Sequence, residues 1–435
     1  MLESMLNAFR APDIRKRILF VLVVLVIYRA LAHVLIPGIN VKGLNTQGGD
    51  TGFFSLLSLF SGGDVRRMSV VGLGLNPYIN ATIIMQILQS TIPSLQALSR
   101  EGEYGRNKIT SYSRMLSVPL AALQAYGILA FVQNDMLRQT GTQAFTTNFS
   151  FETFQSLTQI LALTVGSVVL MWLGELITEK GIGNGISFII FAGIISRVPS
   201  TVGSFFGSPD WLELFAFGVV GLVIIFVIIF VQEGQRRIPI QYANRVRGHR
   251  IYQGGSTFLP LRVNMAGVIP IIFASSIMFA PSMLKQFFPE SSVVEDITTM
   301  FLPGHPVHDG IYALLIIFFT YFYTAIIFNP MDIADNLKKS GGFIPGIRPG
   351  KKTAEYLDQV LTRITLPGSV FLAFIAVVPF LLLGIFNVTF YFGGTSVLIV
   401  VGVALDTLQQ LEYHLQMRNY EGFLKKGRLR GRRSY

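Results

Sequence analysis

Arg15-Lys16-Arg17, followed by Ile18-Leu19-Phe20-Val21-Leu22-Val23-Val24-Leu25-Val26-Ile27-Tyr28-Arg29-Ala30-Leu31-Ala32, admits two readings. Three basic residues before an apolar run, with Ala30-Leu31-Ala32 beyond it, have the layout of a cleaved secretory signal. Arg29 interrupts the part that should stay apolar, and later apolar runs are far longer than a signal core, so the segment reads as a retained first membrane span. That reading decides the class of the chain: all-α and membrane-embedded.

Composition points the same way. Of 435 residues 51% are hydrophobic and 14% charged, against about 25% charged in an ordinary soluble domain. Apolar runs of about 20 residues match a hydrocarbon core roughly 30 Å thick at 1.5 Å per residue. Ten such runs are read: residues 18–36, 70–92, 115–132, 154–177, 186–198, 212–231, 265–284, 311–328, 364–386 and 395–411, the fifth being short. An even number places both termini on one side.

Charge orients them. Of the 35 Lys and Arg residues, 28 fall on the inner segments. Only Lys42, Arg66, Arg67, Arg138, Arg197 and Lys285 fall outside, with Arg29 in the membrane. The positive-inside rule therefore sets both termini in the cytoplasm. Ten spans divide into two sets of five, and an odd number forces the second set to cross in the opposite sense, as in an inverted repeat. One internal echo accompanies it: Gly74-Leu75-Asn76-Pro77 in the second span and Gly267-Val268-Ile269-Pro270 in the seventh. Both residue types weaken a helix. Such points face a pathway or are kinks between packed helices, and the pattern alone fits either.

Residues 53–64 (Phe53, Phe54, Leu56, Leu57, Leu59 and Phe60, then Gly62-Gly63) are apolar but half the length of a span, which suits a re-entrant or interfacial helix. Two long inner segments, 232–264 and 329–362, read as loops. In the first, Arg237-Ile238-Pro239-Ile240-Gln241-Tyr242 alternates apolar with polar residues. A second stretch, 250–261, is rich in β-branched and aromatic residues around Gly254-Gly255, so a hairpin carrying arginines is expected. Its charge suits acidic protein surfaces or RNA phosphates, or serves only to fix topology.

Catalytic patterns are not found. His33, His249, His305, His308 and His414 are scattered, and His305 with His308 read as a solvated outer loop in preference to a metal pair. Gly350-Lys351-Lys352-Thr353 lacks the spacing of a phosphate-binding loop. Gly181-Ile182-Gly183-Asn184-Gly185 opens a membrane helix without a preceding strand, against a dinucleotide site. There are no cysteines, and neither cofactor nor metal is expected. Within spans, Arg29, Glu175 and Asp406 sit near the ends, where snorkelling or helix pairing accounts for them.

The chain resembles the SecY family, the large subunit of the bacterial protein-conducting channel. The resemblance rests on Phe60-Ser61-Gly62-Gly63, Asn76-Pro77-Tyr78-Ile79, Gly181-Ile182-Gly183-Asn184-Gly185-Ile186-Ser187 and Gly234-Gln235-Arg236-Arg237. It continues in Val263-Asn264-Met265-Ala266-Gly267-Val268-Ile269-Pro270, Gly346-Ile347-Arg348-Pro349-Gly350 and Tyr391-Phe392-Gly393-Gly394-Thr395-Ser396. It implies ten transmembrane helices in two inverted five-helix halves, residues 1–200 and 201–435, the latter with the two long loops and a basic tail at 412–435. A plug helix at 53–64, an apolar waist and a seam opening toward lipid complete the picture. The waist carries over to Leu75, Ile79, Ile186, Ile190, Ile272 and Ile399. Asn80 and Gln86 would make polar contacts across the closed seam.

The resemblance also implies a non-enzymatic channel in the bacterial inner membrane, moving unfolded secretory proteins outward and releasing membrane segments sideways. Its implied partners are the small subunits SecE and SecG, the motor ATPase SecA, the ribosome, signal sequences of preproteins, and membrane lipids. Docking falls to Arg245, Arg250, Arg348 and Tyr420. A secondary transporter of a small solute shares inverted repeats and broken helices, but it needs converging polar groups where this waist is aliphatic.

Overall fold

The structure is a computed structural model that describes residues 12–38, 68–140, 154–196, 198–199, 211–242, 245–247, 250–252, 255–278, 281, 291–301, 305–386 and 394–426. The expected plug, with Phe53, Phe54, Leu56, Leu57, Leu59, Phe60, Gly62 and Gly63, lies outside the described residues. In chain order the helices and strands are α1 (Pro12–Leu31), α2 (Asn76–Thr91), α3 (Pro93–Arg100), α4 (Glu103–Thr140), α5 (Phe154–Lys180), α6 (Gly185–Ile195), α7 (Trp211–Gln232), β1 (Gln235–Tyr242), β2 (Arg245–Arg247), β3 (Arg250–Tyr252) and β4 (Ser256–Arg262). They continue as α8 (Ile269–Met278), α9 (Ser292–Met300), α10 (Pro306–Ile327), α11 (Pro330–Ser340), β5 (Gly342–Phe343), α12 (Lys351–Phe386) and α13 (Gly394–Lys426).

The fold is helical, and among the described residues three helical stretches are long and apolar enough to cross a membrane: Phe154–Lys180, Pro306–Ser340 and Lys351–Val378. Gly185–Ile195 and Ile269–Met278 are apolar but shorter. At 1.5 Å per residue α6 rises only about 16 Å, half a bilayer. Large apolar side chains stand outward along α1 and α7, with Leu22, Val26, Leu222, Phe226 and Phe230 exposed, a surface suited to hydrocarbon and not to water.

The chain forms two compact units, Met1–Gly203 with Val403–Tyr435, and Ser204–Gly402. In the first, α4 packs on α2 and α5, and α5 on α1 and α6. In the second, α10 packs on α8 and α12, and α11 on α12. The 232–264 segment forms the expected hairpin: β1 pairs antiparallel with β4 from Gln235↔Arg262 to Gln241↔Ser256. A second small hairpin pairs β2 with β3, so the expected 250–261 stretch contributes two strands, β3 and β4. β5 adds to the other edge of β1.

Several segments differ from the apolar-run reading, among them the third span, read as 115–132, which is helical from Glu103 to Thr140. Helix does not begin at residue 70 but at Asn76, because residues 68–75 turn and pair with the end of the first span: Ile36 N–H donates to Met68 O (3.0 Å) and Val70 N–H to Val34 O (2.9 Å). The 329–362 loop is mostly helix. Asn329 caps α11 by accepting from Met331 N–H at 3.1 Å, Pro330 takes the first helical position, and Gly341 closes it at φ 76°. α12 then starts at Lys351 because Thr353, Ala354, Leu357, Val360 and Leu361 are buried at helical spacing. The tail is likewise helical as far as Lys426.

Candidate functional site

Irregular backbone at membrane depth must find its hydrogen-bond partners inside the protein. Over residues 68–75, Gly72 N–H donates to Ser69 O (2.8 Å) and Gly74 N–H to Val71 O (2.9 Å). Gly74 sits at φ 61°, a left-handed conformation costly for any residue with a Cβ. Leu75 is the N-cap of α2, Pro77 in the first turn has no N–H to leave unpaired, and Ile79 N–H donates to Leu75 O at 3.0 Å. α5 supports this turn from one side. Gly166 lies so close beneath Val70 that a Cβ would strike its carbonyl, and the adjacent Ser167 hydroxyl donates to Gly74 O at 3.1 Å.

The second unit solves the same problem in the same way. Gly267 sits at φ 63°, Pro270 is the second residue of α8, and Ile272 N–H donates to Val268 O at 3.3 Å. The Gly267 carbonyl accepts from Asn264 Nδ2 at 2.9 Å. Gly368 of α12 and Gly402 of α13 come close enough to Val263 and Val268 that a Cβ on either would collide. The Gly–Pro echo therefore marks two helix starts, and not kinks within continuous spans.

α6 is positioned by its glycine turn. The Asn184 side chain accepts from Ile186 N–H (3.1 Å) and Ser187 N–H (3.4 Å), capping the helix. Gly183 N–H, at φ 86°, donates to Gln410 Oε1 (2.8 Å), Gly185 N–H to Thr178 Oγ1 (2.9 Å), and Arg17 Nη1 to Gly181 O (3.2 Å). The turn thus ties α1, α5 and the C-terminal part of α13 together. Its N–H groups are spent within the protein instead of cradling a phosphate.

The six expected waist residues fall on these helix starts and on α13. Leu75 and Ile79 lie one turn apart at the head of α2, Ile186 and Ile190 one turn apart on α6, Ile272 in the first turn of α8, and Ile399 on α13. Leu75, Ile79, Ile190, Ile272 and Ile399 are buried and Ile186 is half-buried. An outward-facing apolar residue such as Leu222 is 69% exposed, so burial sets the expected waist residues apart from the exposed apolar surface. Asn80 and Gln86 are half-buried on α2.

The basic surface sits on the second unit. Ile238 and Ile240 of β1 are buried while Arg236, Arg237 and Pro239 between and before them are exposed, the alternation expected of a strand with one packed face. Ile238 packs in one cluster with Leu261, Phe328, Ile344, Leu357, Val360 and Leu361, which anchors the ribbon to α12. On the outer hairpin Arg245 pairs across from Tyr252, and Arg247 stands directly opposite Arg250. From Gly234 to Arg262 there are six arginines and no acidic residue. Arg348 is exposed in the Gly346–Gly350 turn, whose backbone is held by Thr353 Oγ1 donating to Arg348 O at 3.0 Å. Tyr420 falls in the last turns of α13.

Two ionisable groups are placed more tightly than sequence suggested. Glu175 pairs with Arg114, Nε to Oε1 at 2.6 Å, linking α5 to α4. His308, expected in a solvated loop, is buried: α10 starts at Pro306, so His308 lies in its first turn, 2.9 Å from Asp309 Oδ1 and stacked on Tyr312. Among the described residues no cluster of three metal-ligating side chains occurs. Sequence reasoning missed Ser167, Gly166 and Gln410, whose partners lie far away along the chain.

Residues 69–408 match the SecY family model. The chain is 46% identical over 445 residues to the protein translocase subunit SecY of Streptomyces galbus, covering 98% of this chain and 100% of that one. It is 44% identical over 442 residues to the subunit of the same name from Thermotoga maritima, covering 100% of each. Among solved structures it resembles a chain described as a protein conducting channel, with a TM-score of 0.60 at 18% identity, covering 92% of each. It also resembles Sec61 in the canine ribosome–channel complex, with a TM-score of 0.58 at 18% identity, covering 92% of this chain and 93% of that one. These structures share the fold, and the matches along the sequence carry the kinship: this chain belongs to the SecY family.

Proposed function

We propose that this chain is a protein-conducting channel of the bacterial inner membrane, passing unfolded secretory polypeptides outward and releasing transmembrane segments sideways into lipid. The observation that carries the reading is full-length kinship with protein translocase subunits at 44–46% identity. The buried aliphatic residues at the heads of α2 and α8 supply a physical basis. An apolar ring dewets and blocks ions when empty, yet offers no polar group to grip a passing chain. Leu75, Ile79, Ile186, Ile190, Ile272 and Ile399 form that ring, residues 53–64 plug it, and Asn80 and Gln86 belong to the seam. Both termini are cytoplasmic, and the two halves are residues 1–200 and 201–435.

With no motor of its own, the channel is driven from the cytoplasm by SecA or a translating ribosome. Arg245, Arg250, Arg348 and Tyr420 form the docking face, and SecE and SecG complete the complex. The exposed Arg236 and Arg237 of β1, in a stretch from Gly234 to Arg262 with six arginines and no acidic residue, support this, since such a surface suits an anionic partner. The test is crosslinking of a stalled secretory precursor to single cysteines at Ile79 and Ile272, in a chain that has no others. Efficient adducts at both positions are expected; a precursor trapped in transit that reacts at neither would overturn the reading.

A further inference from the structure

We propose that Ser167 is a positioning residue for the pore ring, with Asn264 as its counterpart in the second unit. The proposal rests on the channel reading above and goes beyond it, since neither side chain lines the ring. Ser167 is buried, and its hydroxyl donates to the carbonyl of Gly74, the residue immediately before Leu75. That carbonyl belongs to a buried turn and not to a helix, so without Ser167 it loses its side-chain donor. Gly166, one residue earlier, lets α5 approach Val70 closely. Gly166 and Ser167 therefore act together: one permits contact with the 68–75 turn, the other fixes its last carbonyl.

The direction of Leu75 and Ile79 follows from that turn. Ile79 bonds to Leu75 O, Leu75 follows Gly74, and Gly74 can hold φ 61° among neighbouring conformations open to glycine. A glycine free to leave this conformation would swing both ring residues. Asn264 performs the equivalent task for Gly267, whose carbonyl it holds at 2.9 Å, ahead of Ile272.

The distinction from mere helix stability comes from Thr164. It is also buried on α5, but its hydroxyl bonds to Ile160 O of its own helix at 2.8 Å and not to the turn. The experiment compares full-length Ser167→Ala, Ser167→Thr, Thr164→Ala, Asn264→Ala and Ile79→Asn in planar bilayers, with export of a precursor bearing a weakened signal as a second readout. Ser167→Ala and Asn264→Ala are expected to raise resting ion conductance about fivefold, the population shift worth one net hydrogen bond. Both should also export the weakened precursor. Ser167→Thr, which keeps the hydroxyl, and Thr164→Ala should behave as the parent. If Ile79→Asn leaks and Ser167→Ala does not, or if Thr164→Ala leaks equally, the positioning role is overturned while the channel reading stands. If Ile79→Asn itself leaves conductance unchanged, the ring assignment fails and the positioning role fails with it.

Discussion

Ile79 and Ile272 occupy the same backbone position in their two units. Each is the fourth residue of its helix, stands two residues after a proline and five after a left-handed glycine, and donates its N–H to the carbonyl four residues back, Leu75 O at 3.0 Å and Val268 O at 3.3 Å. A helix that starts inside the membrane exposes N–H groups that water cannot satisfy, and proline at the second position removes one of them. The same local solution is used twice, so in each unit the turn before the helix sets the direction of an isoleucine in its first turn.

Gly267→Ala tests that aim. A Cβ at Gly267 meets nothing within 4 Å, so the cost is that of forcing φ 63° on an alanine, about 1–2 kcal/mol. The expected result is a lower thermal unfolding midpoint in detergent. Gly255→Ala is the control, since its Cβ also meets nothing and its φ lies outside the left-handed range. Gly255→Ala should leave the midpoint unchanged, and equal behaviour of the two variants would remove the conformational argument.

Ile399→Asn places an amide at a position only 1% exposed. Burying it without a partner costs about 1–3 kcal/mol, so water is expected to follow it into the proposed ring. Ion conductance in planar bilayers should rise, and the demand for a strongly apolar signal sequence should relax. Unchanged conductance would place Ile399 outside the seal.

How much of this was legible beforehand depends on the range of the interaction. Apolar runs located the cores of α1, α5, α7 and α10, and the Gly–Pro pairs marked residues 74–77 and 267–270 as special, because both signals are local. Hydropathy placed the start of α12 late, since its first turns carry Lys351, Lys352, Glu355 and Asp358 on the exposed side while Ala354, Leu357 and Leu361 face inward. A period of 3.6 finds that helix where a hydropathy average does not. Asn329, Pro330 and Gly341 bracket α11 with local capping signals, but the helix itself is short and polar, so it leaves no apolar run. Ser167 had no signal at all: serine is unexceptional in a span, and its partner is a backbone carbonyl 93 residues earlier.

Arg348→Glu separates docking from folding. The side chain is exposed in a turn whose backbone bond from Thr353 does not involve it, so stability should stay within about 0.5 kcal/mol of the parent. Motor-driven translocation into proteoliposomes should fall steeply, and binding of the motor to the parent channel should weaken with added salt, as attraction between exposed charges is screened. Full transport by the variant would dissociate Arg348 from docking.

Ile238→Ala asks whether the arginine ribbon works because it is rigid. Ile238 is 2% exposed and belongs to one cluster with Leu261, Phe328, Ile344 and Leu357, whereas its neighbour Arg237 is exposed. Truncating the anchor should cost about 2–5 kcal/mol locally. Every charge on the ribbon is left in place, and the proposed ring residues lie on other elements. Hydrogen exchange in β1 and β4 should accelerate and motor binding should weaken, with resting ion conductance unchanged. Phe258→Ala removes a comparably large side chain from the same sheet, but one 59% exposed, and should do neither. If Ile238→Ala accelerates exchange and the motor still binds as tightly, charge alone suffices for docking. If exchange itself is unaffected, the cluster beneath the ribbon is not what holds it.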